Sequence, residues 1–179
     1  MKKKSNIGWI VKIVLISVVA SMAFTLASTE IIGRAGLAVA YALLAVFIVI
    51  GLVFDMIGVA ITAAKEAPFH SMGSRRERGA AESLRLLRNA DKAASFCNDV
   101  VGDVTGIVSG TTAALIAARL MEGVNTENIL LPLLISGCVT GLTIGGKAFG
   151  KAIAISNSTA IVHTVGKLIG IVSKRGGKK

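Results

Sequence analysis

Asp99 and Asp103 stand four residues apart in an apolar run, residues 94–118, that is long enough to cross a bilayer, with Asn98 beside the first of them. On a helix that spacing puts both carboxylates on one face. A third acid, Asp55, lies near the inner end of the preceding apolar segment. An ionised carboxylate in hydrocarbon costs about 2.5–3.5 kcal/mol on insertion scales, so such residues are kept where they face a partner, a cation or water. Magnesium is a hard cation that takes oxygen ligands and keeps several of its waters. Asp55, Asn98, Asp99 and Asp103, with Thr62 or Thr105 nearby, therefore form a candidate metal site built from two helices. The alternative is structural: Lys147, at the inner end of the fourth apolar segment, pairs with one of the acids and no ligand is needed. Three acids facing one base leave negative charge that a cation or protons must balance.

The elements that must carry these residues follow from composition. With 53% hydrophobic and 17% charged residues and a mean hydropathy of +0.73, the chain is too apolar for a soluble domain of its size. Its 179 residues hold four spans of roughly 20 residues each, with little left for a soluble catalytic domain. The expected fold is all-α: a polytopic membrane protein of four transmembrane helices, a cytoplasmic amphipathic connector and a C-terminal juxtamembrane helix. Residues 1–34 supply an N-terminal span (7–27, with Lys12 snorkelling from its cytoplasmic end) and a short outer turn at 28–33. Its basic start resembles a signal peptide, but the apolar core is longer than 7–15 residues and more spans follow. Residues 35–154 hold spans at about 35–64, 94–118 and 129–146, with the connector at 65–93. Residues 155–179 form the juxtamembrane helix and a basic tail.

Within the connector, 75–89 places Ala80, Ala81, Leu84 and Leu87 on one side and Arg or Glu on the other, as in a helix lying at the inner surface. Gly102, Gly106 and Gly110 in the third span, and Gly137, Gly141 and Gly145 in the fourth, recur every four residues. Such stripes pack helices closely and predict a homodimer. Of the 20 Lys and Arg residues, only Arg34 and Arg119 fall on the proposed outer side, which puts both termini in the cytoplasm of a cell-membrane protein. The basic excess flanks apolar spans, so its partner is anionic lipid, and no nucleic acid is expected. Cys97 and Cys138 lie inside apolar spans without metal spacing. His70 and His163 have no companion ligand, and no catalytic constellation stands out, so no enzyme is expected.

The order of these features resembles the transmembrane domain of the CNNM/CorC (cyclin M and CorC magnesium transporter) family. In that family F-S-G-S-E-x-A ends the first family span, an L-R-L-L-x-N-P-E-like stretch lies in the connector, a G-N motif follows and G-E-x-x-P-K ends the last span. The corresponding stretches here begin at Phe54-Asp55, Leu84-Arg85, Cys97-Asn98 and Gly146-Lys147. They cover about 40–154 and leave the first helix as an addition. Asp55, Ile57 and Gly58 replace the family's serines and glutamate, Lys147 stands where an acid is expected, and the chain carries no CBS domains. The resemblance implies a homodimeric divalent-cation transporter or cation-binding membrane protein, with Mg2+ or cobalt as the ion. The competing function is a non-transporting membrane scaffold or partner subunit whose intramembrane acids are structurally paired.

Overall fold

A computed structural model describes residues 7–34, 36–124 and 130–176, and among these there is no strand. The helices are α1 (Ile7–Arg34), α2 (Leu37–Ala63), α3 (Glu66–Ser74), α4 (Ala80–Arg88), α5 (Ala90–Ser95), a π-helical segment (Phe96–Gly102), α6 (Asp103–Val124), α7 (Leu130–Ser156) and α8 (Ser158–Gly176). The all-α class is as expected. Among the described residues, four stretches are long and apolar enough to cross a membrane: Ile7–Ile31, Leu37–Ala63, Ala90–Met121 and Pro132–Ser156. The basic residues 2–4, the centre of the expected outer loop at 125–129 and the tail end at 177–179 lie outside the described residues.

The chain divides into two compact units. The first comprises Met1–Leu52 and Val100–Gly145, and in it α1 packs on α6. Small and branched residues interlock: Ala40 and Leu44 of α2 meet Ala113 and Ile116 of α6, and Phe47 meets Val104 and Val108. Phe24 of α1 packs edge-to-face on Phe47 at a ring-centroid distance of 5.9 Å, the arrangement that aromatic quadrupoles favour. Gly51 makes a close approach possible, since a Cβ there would lie 2.5 Å from the Thr105 hydroxyl. The turn expected at 28–33 is helix instead. No proline interrupts the segment, and Thr29 donates its hydroxyl to the Thr25 carbonyl 2.9 Å away, so the hydroxyl is satisfied without leaving the helix.

The second unit comprises Val53–Asp99 and Gly146–Lys179. Its core joins Ala60 and Ile61 of α2, Phe69 of α3, Leu87 of α4, Ala154 of α7 and Val162 of α8. Pro68 sits in the first turn of α3, where its missing N–H is tolerated. α3 ends in a reverse turn in which Arg76 N–H donates to Gly73 O and Glu77 N–H to Met72 O, each 3.0 Å. Such a cap places one residue in the left-handed region, here Arg76 at φ 55°. Gly79 is left-handed as well, at φ 89°. The amphipathic helix expected from residue 75 therefore begins at Ala80, because two left-handed residues cannot continue a right-handed helix.

α4 docks on α8 through glycines. A Cβ on Gly79 would lie 2.6 Å from the Lys167 backbone nitrogen, and one on Gly166 would lie 2.6 Å from the Gly79 carbonyl oxygen. Ser83, fully buried, has its hydroxyl 2.8 Å from Gly79 O and 3.2 Å from Val162 O, which ties the two helices with a polar contact. His163 Nε2 reaches Arg78 O at 3.1 Å and holds the same turn. α7 does not stop near residue 146: it runs through Lys147 and Lys151 to Ser156. The break falls at Asn157, whose amide and the neighbouring Ser156 hydroxyl both bond Ile153 O and compete with the helix for that carbonyl.

Candidate functional site

The chemistry-bearing residues of the second unit converge where α2, the π-helical segment and the C-terminal part of α7 meet. α2 contributes Asp55 in an otherwise uncharged apolar helix. α7 contributes Lys147, whose Nζ lies 2.8 Å from Asp55 Oδ2, with the Asp55 side chain 18% and the Lys147 side chain 29% exposed. That separation is a charge-assisted hydrogen bond as well as an ion pair. It satisfies the acid without a ligand.

Asn98 enters the same place from the π-helical segment. A π-helical turn pairs i with i+5 and rotates the residues after it relative to an α-helix, a distortion common where a helix carries a functional side chain. The Asn98 amide fills the space left by Gly58, whose absent Cβ would overlap the amide oxygen. That oxygen, Oδ1, is buried without a hydrogen-bond partner. An unmet buried acceptor costs about 1–3 kcal/mol.

Together Asp55, Val59, Asn98, Lys147 and Lys151 line a pocket of about 170 Å³. A water takes about 30 Å³ in the liquid, so the space exceeds a single solvent molecule. Lys151 is one turn beyond Lys147 on α7 and is exposed. Two ammonium groups and one carboxylate give the lining a net charge of +1.

Of the residues expected at a metal site, Asp55 and Asn98 come together here. Asp99 is exposed and does not line the pocket, and Asp103 opens α6 in the first unit, also exposed. The threonine oxygens considered as further ligands are turned to their own helices: Thr62 donates to Val59 O at 2.9 Å and Thr105 to Val101 O at 2.7 Å. Among the described residues no three His, Cys, Asp or Glu side chains are grouped as a metal centre requires. Sequence reasoning reached Lys147 as a possible partner but gave Lys151, Gly58 and Val59 no part in the site. The signal for Lys151 was its spacing of four from Lys147; Gly58 had none, because its role is to leave room for a side chain distant in sequence. Set against known proteins, the chain matches no family model, no curated protein and no solved structure.

Proposed function

We propose that this chain is a polytopic cell-membrane protein with both termini cytoplasmic, acting as a non-transporting scaffold or partner subunit whose intramembrane acid is neutralised from within. The observation that carries this reading is the 2.8 Å pair between Asp55 and Lys147. An acid kept in a span needs a partner, and here the partner belongs to the chain. α3, α4 and α8 pack on one another in the second unit. Their basic and apolar residues suit a platform at the anionic inner leaflet. The exposed glycines Gly137, Gly141 and Gly145 of α7 have nothing within 4 Å of a built Cβ among the described residues. A second copy covering that stripe makes the working unit a homodimer.

The second reading, a divalent-cation protein of the CNNM/CorC type, is supported by Asp55 beside the unpartnered Asn98 oxygen and by the order of motifs. Against it stands the charge of the pocket: an added Mg2+ would compete with Lys147 for the same carboxylate and meet a lining already at +1. A thermal-shift titration separates the two. In the scaffold reading, wild-type Tm ignores millimolar magnesium, while Asp55→Asn and Lys147→Met each lower it. Magnesium stabilisation of the wild type that Asp99→Asn and Asp103→Asn abolish would replace the scaffold with a cation site, since ligand bound at a hundredfold excess over Kd contributes about 2.7 kcal/mol.

A further inference from the structure

We infer that α8, through the face formed by Thr164, Leu168 and Ile171, is the helix that beds the second unit into the anionic inner leaflet, and that α4 is held off the lipid on the far side of α8. The inference deepens the reading of this chain as a membrane protein with a cytoplasmic C-terminus and rests on it. Amphipathic pattern alone points to α4, where Ala80, Leu84 and Leu87 share one side. The fold has already used that side. Ala80, Ser83 and Leu87 are buried, the Ser83 hydroxyl lies 3.2 Å from Val162 O of α8, and Gly79 is closed against Gly166. A face taken up by another helix cannot also sink into lipid. What α4 presents on the side opposite Ser83 is Ala81, Arg85 and Arg88, all exposed.

α8 has two sides of its own. Val162 and Gly166, one turn apart, are buried and meet α4 at Ser83 and Gly79. Thr164, Leu168 and Ile171 follow the i, i+4, i+7 spacing of the opposite stripe. All three are exposed, Leu168 at 59% and Ile171 at 58%, with Lys167 exposed beside them. Aliphatic side chains held open next to a long-stemmed base suit a helix lying in the headgroup boundary, where the apolar groups sink and the ammonium snorkels. Charge names the surface. After Glu127 the sequence has no Asp or Glu, while residues 158–179 carry five Lys and Arg. An acid-free basic segment complements anionic headgroups, each base near such a surface contributing about 1 kcal/mol. Position agrees as well. Asn157 alone separates the end of α7 from the start of α8, and the span-length stretch of α7 runs to Ser156. With α7 crossing the membrane, α8 starts at its inner boundary, and the order inward is lipid, α8, α4 and cytosol.

The test reads tryptophan emission from the full chain in nanodiscs of phosphatidylglycerol and phosphatidylcholine, in a Trp9→Phe background that removes the one native tryptophan. Leu168→Trp, Ile171→Trp and Arg85→Trp each change an exposed side chain and leave Ser83, Val162 and Gly166 in place. Acyl-brominated phosphatidylcholine should quench Leu168→Trp and Ile171→Trp but not Arg85→Trp, and acrylamide in the water should do the reverse. Omitting phosphatidylglycerol should weaken the lipid quenching of both α8 variants, since the charge of Lys167 alone corresponds to about fivefold in the ratio of bedded to lifted helix. Equal quenching with and without the anionic lipid overturns the inference. So does lipid quenching of Arg85→Trp with the α8 variants open to acrylamide, which would put α4 on the leaflet. Shielding of the α8 variants from both quenchers also overturns it, because protein then covers the face. Disulfide formation between copies of Leu168→Cys, in a chain without Cys97 and Cys138, would identify that cover as a second copy. Alkaline carbonate extraction of native membranes separates the two failures. A chain released by carbonate fails the membrane reading, whereas a retained chain whose α8 variants escape lipid quenching fails this inference alone.

Discussion

Lys147 of α7 holds its ammonium 2.8 Å from the Asp55 carboxylate of α2, joining two helices far apart in sequence through one partly exposed pair. Removing either partner leaves the other charge short of solvent. Asp55→Asn and Lys147→Met are each expected to lower stability by about 1–3 kcal/mol. The double variant should lose less than the sum of the two, and the resulting coupling is measurable by a double-mutant cycle of unfolding in detergent. Strict additivity would mean that the two side chains do not interact.

Gly58 and Gly141 provide an internal contrast. Alanine at position 58 must displace the Asn98 amide, and overpacking of this kind costs typically 1–3 kcal/mol, about 1 where the neighbour can move. Alanine at 141 meets open space and should stabilise the isolated protomer by up to about 1 kcal/mol through helix propensity. Under the homodimer proposal a bulkier Gly141→Leu should nonetheless shift cross-linking in native membranes from dimer to monomer, whereas Gly58→Ala should leave it unaffected.

The α4–α8 contact depends on two glycines facing each other across it. Gly166→Ala would drive a methyl into the Gly79 carbonyl oxygen, and Gly79→Ala would combine the reverse clash with a φ of 89°. A non-glycine residue in that region costs roughly 1–2 kcal/mol before any clash is counted. Hydrogen exchange should show faster opening of α8 in both variants, with Gly79→Ala the more affected. Arg76→Gly, at φ 55°, should act in the opposite direction and raise stability by about 1 kcal/mol.

Topology is tested at Ser74, an exposed residue at the end of α3. A cysteine placed there, in a background without Cys97 and Cys138, should react with membrane-impermeant maleimide only after cells are opened. Labelling from outside intact cells would reverse the proposed orientation.

Helix type and the presence of long apolar helices were legible from the chain because both are local properties. Long apolar runs such as 37–63, interrupted by the single charge of Asp55, must satisfy their own backbone hydrogen bonds in any apolar surrounding, and an α-helix does so within the segment. The amphipathic pattern around Leu84 and Leu87 likewise marked α4 before any contact was known, although its start depended on the backbone of Arg76 and Gly79. What only the tertiary structure decided was pairing. The sequence offered three acids for one lysine; distance in the fold joined Lys147 to Asp55, left Asp99 exposed, and set Asn98 against the space at Gly58. Glycines looked alike along the chain, yet the space at Gly58 and Gly166 is filled by neighbours, while Gly106, Gly110, Gly137 and Gly141 of the two stripes have nothing within 4 Å of a built Cβ among the described residues. Composition and periodicity act along one helix, whereas ion pairs and close approaches depend on which residues of other helices come within a few ångströms, and no local pattern carries that information.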